Sequence, residues 1–136
     1  MDFKGDKEGK IFFSKWLIQN GYYNIQTTTR YTEWDIEAEK GGILYYFELK
    51  KRNRKALENE GDSIMEDLKY KRSPNPKRSY LVSFFHDCFT IIPYTDPHQE
   101  LHCKCQVSQH QHFHVKKILY SYPNLDKYIH KYPVDN

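Results

Sequence analysis

The spacing of hydrophobic residues along this chain changes several times, and each change marks a different element. Near the N-terminus, apolar residues recur every three or four positions, which predicts a helix over residues 7–20 with one buried face. Asn20-Gly21 is a suitable C-terminal stop for this helix. Alternating or continuous apolar runs follow it and predict strands. The predicted strands cover residues 23–29, 34–39, 43–50, 79–85 and 88–94.

Two further helices are predicted from weaker patterns. Residues 59–71 place Ile64, Met65 and Leu68 on one stripe, and the tail beyond Pro123 can form a short helix. The resulting order is helix, three strands, helix, two strands and a tail. It predicts an α/β fold, with a central mixed sheet of about four to five strands flanked by helices on both sides.

Length and composition bound the class of protein. The 136 residues suit a single domain (1–136), with a core over about 5–95 and a less regular, His-rich C-terminal part over 96–136. Aromatic residues make up 16% of the chain, which argues against disorder. The sequence has no apolar run that could span a bilayer, and its charged start does not resemble a signal peptide. We therefore expect no membrane association and a cytoplasmic location, or a host cytoplasm if the source is viral. The three cysteines show no disulfide framework and are expected to be reduced.

The predicted hairpin over residues 34–50 carries the candidate chemistry. Gly41-Gly42 is a suitable two-residue turn, because a type I′ turn needs positive φ at both central positions. With that turn, residues whose numbers sum to 83 face each other across the hairpin. Asp35 is then opposite Glu48, and Lys50 lies two residues along on the same face.

Two facing carboxylates are unusual in a purely structural sheet, since like charges on neighbouring strands are destabilising. A divalent cation between Asp35 and Glu48 would turn that repulsion into ligation, and Mg²⁺ prefers one or two carboxylates together with water and phosphate oxygens. Lys50 could orient the attacking water or neutralise charge on the phosphate. The alternative is a solvated, charged hairpin face, and the spacing alone leaves both open.

The net charge is only +3, but the basic residues are clustered. One basic run occupies 50–55, directly after the Glu-x-Lys, another occupies 69–78, and acidic residues collect between them. This distribution suits a polyanion held close to a metal site, although a single run more often only solvates a surface. The residues predicted to follow the backbone of such a polyanion are Lys51, Arg52, Arg54, Lys71 and Arg72.

The order of these features resembles the PD-(D/E)xK nuclease superfamily over roughly residues 5–92. The shared features are a first helix carrying a glutamate, a Gly21-Tyr22 exit and a strand, followed by Asp35, a glycine hairpin, Glu48-x-Lys50 and a second helix. Within the superfamily, the opening half is similar to archaeal-type Holliday junction resolvases and to related phage or restriction-type nucleases. The resemblance implies a restriction-endonuclease-like core.

The resemblance also implies roles for individual residues. It makes Asp35 and Glu48 metal ligands together with the backbone carbonyl of Leu49, and it makes Lys50 the catalytic lysine. Glu8, on the first helix, matches an extra acidic catalytic position used by several members.

The function implied is a Mg²⁺-dependent DNA endonuclease that hydrolyses phosphodiester bonds, with Mn²⁺ able to substitute and no small-molecule cofactor. Junction, duplex, flap and single-stranded DNA all suit such a site. Selectivity for a branched DNA structure is therefore one option among these substrates. Many relatives are homodimers, and a homodimer is expected here. The chain departs from the superfamily at Trp34, which stands where the name-giving proline would be.

Two other functions remain open. One is a non-catalytic nucleic-acid-binding protein on the same scaffold, whose acidic cluster is vestigial. The other is a zinc-dependent interaction module, since histidine and cysteine are zinc ligands, although their spacing here matches no strong zinc motif. The residues that could form such a site are His102, Cys103, Cys105, His110, His112 and His114.

Overall fold

The structure is a computed structural model that describes residues 3, 5–28, 34–56, 63–66, 73–97, 99–108, 111–120 and 126–133. For residues 63–66, 99–108, 111–120 and 126 it describes the backbone alone.

The described part of the chain contains one α-helix, α1 (Asp6–Gln19), which confirms the predicted N-terminal helix. Nine strands follow α1. They are β1 (Tyr23–Thr27), β2 (Ile36–Lys40), β3 (Ile43–Lys51), β4 (Ser63–Glu66), β5 (Ser79–Phe84), β6 (Cys88–Pro93), β7 (Gln99–Ser108), β8 (Gln111–Tyr120) and β9 (Ile129–Lys131).

Six of these strands form the central sheet, in the order β1-β2-β3-β5-β6-β9. Strands β3 and β5 are parallel, and the other neighbouring pairs are antiparallel. The sheet is therefore mixed, as predicted, but it has six strands instead of four or five. The parallel pair requires a long crossover, which residues 52–78 provide.

Strands β4, β8 and β7 form a second, antiparallel sheet. The helix predicted over 59–71 is wrong at residues 63–66, which form β4 and pair with Lys117–Tyr120 of β8. The part expected to be less regular, 96–136, contains the ten-residue strands β7 and β8. The short helix predicted in the tail is a 3₁₀ turn over Asp126–Tyr128 that leads into β9.

Buried apolar residues lie on both faces of the central sheet. The cluster beneath α1 consists of Phe3, Phe13, Leu17, Ile36, Ala38, Phe47, Val82, Phe84 and Phe89. A second cluster consists of Ala56, Leu81, Phe85, Cys88, Ile92 and Tyr94. Because α1 packs against β1, β2 and β3, its N-terminal turn is held near the strands that carry the candidate site. None of the described helices is long and apolar enough to cross a membrane.

The hairpin between β2 and β3 has the predicted turn and register. Gly41 and Gly42 have φ values of +60° and +76°, which favour glycine, as a type I′ turn requires. Pairs run from Lys40↔Ile43 to Ile36↔Phe47, so the predicted register is confirmed over the whole of β2. Along β2, Ile36 and Ala38 are buried, whereas Glu37 and Lys40 are not.

Candidate active site

Asp35 lies just before β2, at a bend where the regular pairing ends. Its backbone N–H donates to the carbonyl of Phe47 (2.9 Å), and its carbonyl accepts from the N–H of Thr28 (3.0 Å). Its Oδ2 accepts a hydrogen bond from the N–H of Leu49 at 2.8 Å. Asp35 is thus not a simple continuation of the ladder opposite Glu48. Instead, the Leu49 amide holds the carboxylate beside the Glu48–Leu49 peptide, and such a bond to an ionised group is stronger than a neutral one.

Glu48 is the most deeply buried charged group among the described residues, with only 1% of its surface exposed. The side chain of Lys50 is 33% exposed, and its Nζ lies 3.9 Å from Glu48 Oε1. Burial of a carboxylate is costly unless it is paired or binds a cation. The sheet therefore holds a buried acid next to a partly exposed amine, a combination more typical of a functional site than of a solvated hairpin face.

Asp35, Glu48, Leu49 and Lys50 line one cavity of about 250 Å³. The sequence predicts a cluster of Asp35, Glu48 and Lys50, and the structure brings these three residues together. Lys51, from the end of β3, lines the same cavity. A metal ion with its waters and a phosphate group would fit into a space of this size.

The opposite wall of the cavity comes from the first turns of α1, through Asp6, Gly9 and Lys10. Gly9 allows this close approach, because a Cβ at that position would lie 3.3 Å from Cε2 of Phe84. Sequence reasoning missed all three residues. A glycine in the buried stripe of a helix was a usable signal, because it marks a place where the backbone approaches another element.

Glu8, the fourth predicted catalytic residue, is not among the described residues that line this cavity. It is exposed on α1, and among the described residues the acidic side chain that α1 contributes to the cavity wall is Asp6. Residues two apart on a helix point in directions that differ by about 200°. A role for Glu8 at the metal thus remains a prediction from the resemblance, and Asp6 is a second candidate.

Two of the predicted DNA contacts have structural partners. The Nε of Arg52 donates to Oγ of Ser83 (3.4 Å), and burial, followed by the charge of Arg54, lowers the pKa of Arg52 to about 10. The guanidinium of Arg54 lies over the ring of Phe85, 4.9 Å from its centroid. Of the predicted contacts, Lys51 is exposed. Lys71 and Arg72 lie outside the described residues.

The donor set of the cavity suits a hard divalent cation. Among the described side chains, no group of three or more His, Cys, Asp or Glu residues is arranged to hold a metal. Mg²⁺ does not require such a group, because it retains several waters and binds through one or two carboxylates and substrate oxygens. Asp35 and Glu48 supply two carboxylates at the cavity, so the residues present fit a magnesium-type site.

The histidines and cysteines of the zinc hypothesis lie mainly on β7 and β8, whose side chains are outside the description, and His110 is outside it entirely. Zinc binding there stays a prediction. The third cysteine, Cys88, is a free, buried thiol, and burial together with Asp87 raises its pKa to about 11. An unreactive, protonated thiol is what such a position favours.

A six-stranded mixed sheet with α1 on one face and a charged cavity beside the helix N-terminus defines an α/β fold. No protein-family model matches the chain, and no curated protein matches it in sequence. A solved structure does match: Hjc from Archaeoglobus fulgidus, a Holliday junction resolvase from an archaeal hyperthermophile. The TM-score is 0.55, with 11% identity, and the match covers 91% of each chain. This similarity confirms the predicted fold, and at this level of identity it concerns the fold alone.

Proposed function

We propose that this protein is a metal-dependent endonuclease that hydrolyses phosphodiester bonds in DNA. The observation that supports the proposal is the cavity in which Asp35, Glu48, the Leu49 backbone and Lys50 meet, on a fold similar to that of a resolvase. A charged cluster of this kind at a concave site is a candidate for catalysis on physical grounds alone.

In this proposal Asp35 and Glu48 hold Mg²⁺, with Mn²⁺ as a substitute, and the carbonyl of Leu49 is a third donor. When bound, such an ion lowers the pKa of a water molecule and stabilises negative charge on a phosphate. The Leu49 amide orients the Asp35 carboxylate through its 2.8 Å hydrogen bond. The Glu48 carboxylate is positioned by β3 and balanced by Lys50 at 3.9 Å.

Lys50 is proposed to act on the reacting groups directly. Its side chain is one-third exposed, so the amine can reach a phosphate in the cavity while remaining next to Glu48. It would orient the attacking water or stabilise the negative charge that develops on the phosphate. Lys51, on the rim of the same cavity, would hold a neighbouring phosphate.

The test is cleavage of a panel of labelled DNA substrates with Mg²⁺ or Mn²⁺: junction, duplex, flap and single strand. The wild type is compared with Glu48→Gln and Lys50→Gln. Glu37→Gln and Lys55→Gln serve as matched controls, because neither residue belongs to the described lining of the cavity. We expect cleavage by the wild type and both controls, and a loss of at least about 100-fold in the two site variants. Equal cleavage by all five proteins would remove Glu48 and Lys50 from the mechanism.

The non-catalytic alternative makes a different prediction for the same protein. A protein with a vestigial site would bind DNA without binding Mn²⁺ at Asp35 and Glu48, and calorimetry separates the two cases.

We also propose that the protein is a homodimer, because cutting two strands requires two sites. We propose a cytoplasmic location as well, which suits a free thiol at Cys88. Sedimentation measures the first of these, and localisation of a tagged protein measures the second.

A further inference from the structure

A second groove lies on the outer side of α1, between this helix and the edge strand β1. Its volume is about 410 Å³, and Thr27 of β1 lines one side of it. The other side is one face of α1, formed by Lys7, Lys10, Ile11, Ser14, Lys15 and Ile18.

The groove face of α1 differs from an ordinary amphipathic helix. At 3.6 residues per turn its six positions fall within an arc of about 140°. Its two isoleucines remain exposed, Ile11 by 48% and Ile18 by 62%, and they alternate with lysines. The core-facing residues, such as Phe13 and Leu17, are fully buried on another side of the helix. Two exposed isoleucines and three lysines therefore share this face of α1.

The groove and the candidate active site are adjacent, because Lys10 lines both. The Nζ of Lys10 also donates to the carbonyl of Thr28 (3.5 Å), which places its amine at the junction between α1 and the end of β1. A chain of phosphates that occupies the active-site cavity would therefore continue past Lys10 into the groove.

The lysine spacing suits a nucleic-acid backbone. Lys7 and Lys15 are separated by eight residues, or about 12 Å along the helix axis. At 3.4 Å per nucleotide along one strand of a duplex, this distance spans three to four phosphates. Ile11 lies between these two lysines and Ile18 lies three residues beyond Lys15, so each isoleucine presents apolar surface beside a phosphate contact.

We infer that the α1/β1 groove is a DNA-binding surface that holds the strand leaving the active site, with Lys7 and Lys15 as phosphate contacts. The inference rests on the proposed function for the identity of the substrate. The path predicted from the sequence follows the basic residues after β3, but Arg52 and Arg54 have contacts within the protein. The new path instead follows the lysines of α1.

The test is DNA binding measured by fluorescence anisotropy in EDTA at several salt concentrations. The double variant Lys7→Gln/Lys15→Gln is compared with Lys77→Gln/Lys131→Gln. This control removes the same charge from two exposed lysines that lie away from the groove. Lys77 precedes β5, and Lys131 is on β9, the edge strand opposite to β1. Lys10 is left intact because it also lines the active-site cavity.

We expect the groove variant to reduce the slope of log K against log salt by about 1.8, because each phosphate contact in a duplex contributes about 0.9. Its affinity at 0.1 M salt should fall by roughly ten- to sixty-fold. The control should keep the wild-type slope. A groove variant that binds like the wild type, or a control that loses as much, would overturn the inference.

Self-association is the other use such a groove could have. Ile11→Ser/Ile18→Ser is therefore analysed by sedimentation and by DNA binding. A loss of dimer with unchanged DNA affinity would assign the groove to a second copy of the chain and overturn the DNA path. Cleavage of the same DNA in Mn²⁺ by wild type and Glu48→Gln separates the two proposals. If cleavage depends on Glu48 but the Lys7→Gln/Lys15→Gln variant binds DNA normally, only the DNA-binding role of the groove is overturned. If that variant loses DNA affinity but no Glu48-dependent cleavage is seen, only the proposed nuclease activity is overturned.

Discussion

We predict that divalent metal stabilises this protein through the proposed site and that replacement of Glu48 by glutamine abolishes this stabilisation. Glu48 is 1% exposed and shares a cavity with Asp35. Because this cavity exists only in the folded protein, an ion bound there stabilises the folded state relative to the unfolded state. At a metal concentration of ten times Kd, one site adds RT ln 11 to the free energy of unfolding, about 1.4 kcal/mol. For a domain of 136 residues this raises Tm by about 5 °C. Glu48→Gln removes one of two carboxylates, so its Tm should rise by less than about 1 °C.

The assay is thermal unfolding followed by circular dichroism, with increasing Mn²⁺ and with EDTA as the reference. In EDTA, Glu48→Gln should differ from the wild type by no more than about 1 kcal/mol, because the amide has nearly the same shape and its cationic neighbour Lys50 stays partly solvated. Glu37→Gln, on β2, should keep the full metal effect. If Mn²⁺ raises the Tm of Glu48→Gln as much as that of the wild type, the ion binds elsewhere and the site is wrong.

Three further predictions concern the scaffold. Gly9→Val should lower the free energy of unfolding by about 1–3 kcal/mol in urea titrations and also reduce cleavage. The reason is that the valine side chain would press against Phe84 in the cavity wall. Unchanged stability would show that α1 moves away freely. Phe47→Ala should cost about 3–5 kcal/mol by the same measurement, since the ring is 1% exposed beneath α1, and a cost below 1 kcal/mol would contradict this packing. Burial lowers the pKa of His130 from its ordinary value of 6.5, so the unfolded state binds the proton first and stability should fall as pH drops below 6.5. In urea titrations at several pH values, the free energy of unfolding of His130→Phe should depend less on pH in this range than that of the wild type. An unchanged pH profile would assign the dependence to other groups.

The elements predicted correctly are those whose signal is local. The period of apolar residues in α1 and the alternation along β2 and β3 reflect which side of each element is buried, and neighbouring residues carry that information. The type I′ turn also follows from local chemistry, because Gly41 and Gly42 accept the positive φ that it requires. The register of the hairpin then follows from its turn.

The errors occur where a short apolar run is compatible with two structures. Residues 63–66 fit a helical stripe, yet they form β4 because β8, more than fifty residues away, supplies hydrogen-bonding partners for them. The number of strands in the central sheet was underestimated for a related reason. The short strand β9 is defined by its pairing with β6, since its three residues carry too weak a pattern of their own.

The hairpin that carries Asp35, Glu48 and Lys50 could be predicted from local residues alone, because its turn, alternation and charges all lie within sixteen residues. The surroundings of these three side chains depend instead on how distant elements pack together. The packing of α1 on the sheet placed Asp6, Gly9 and Lys10 across the cavity and left Glu8 exposed outside it. A local pattern specifies which side of an element is buried, but the element that covers this side, and the charges on that element, depend on contacts between residues far apart in the chain.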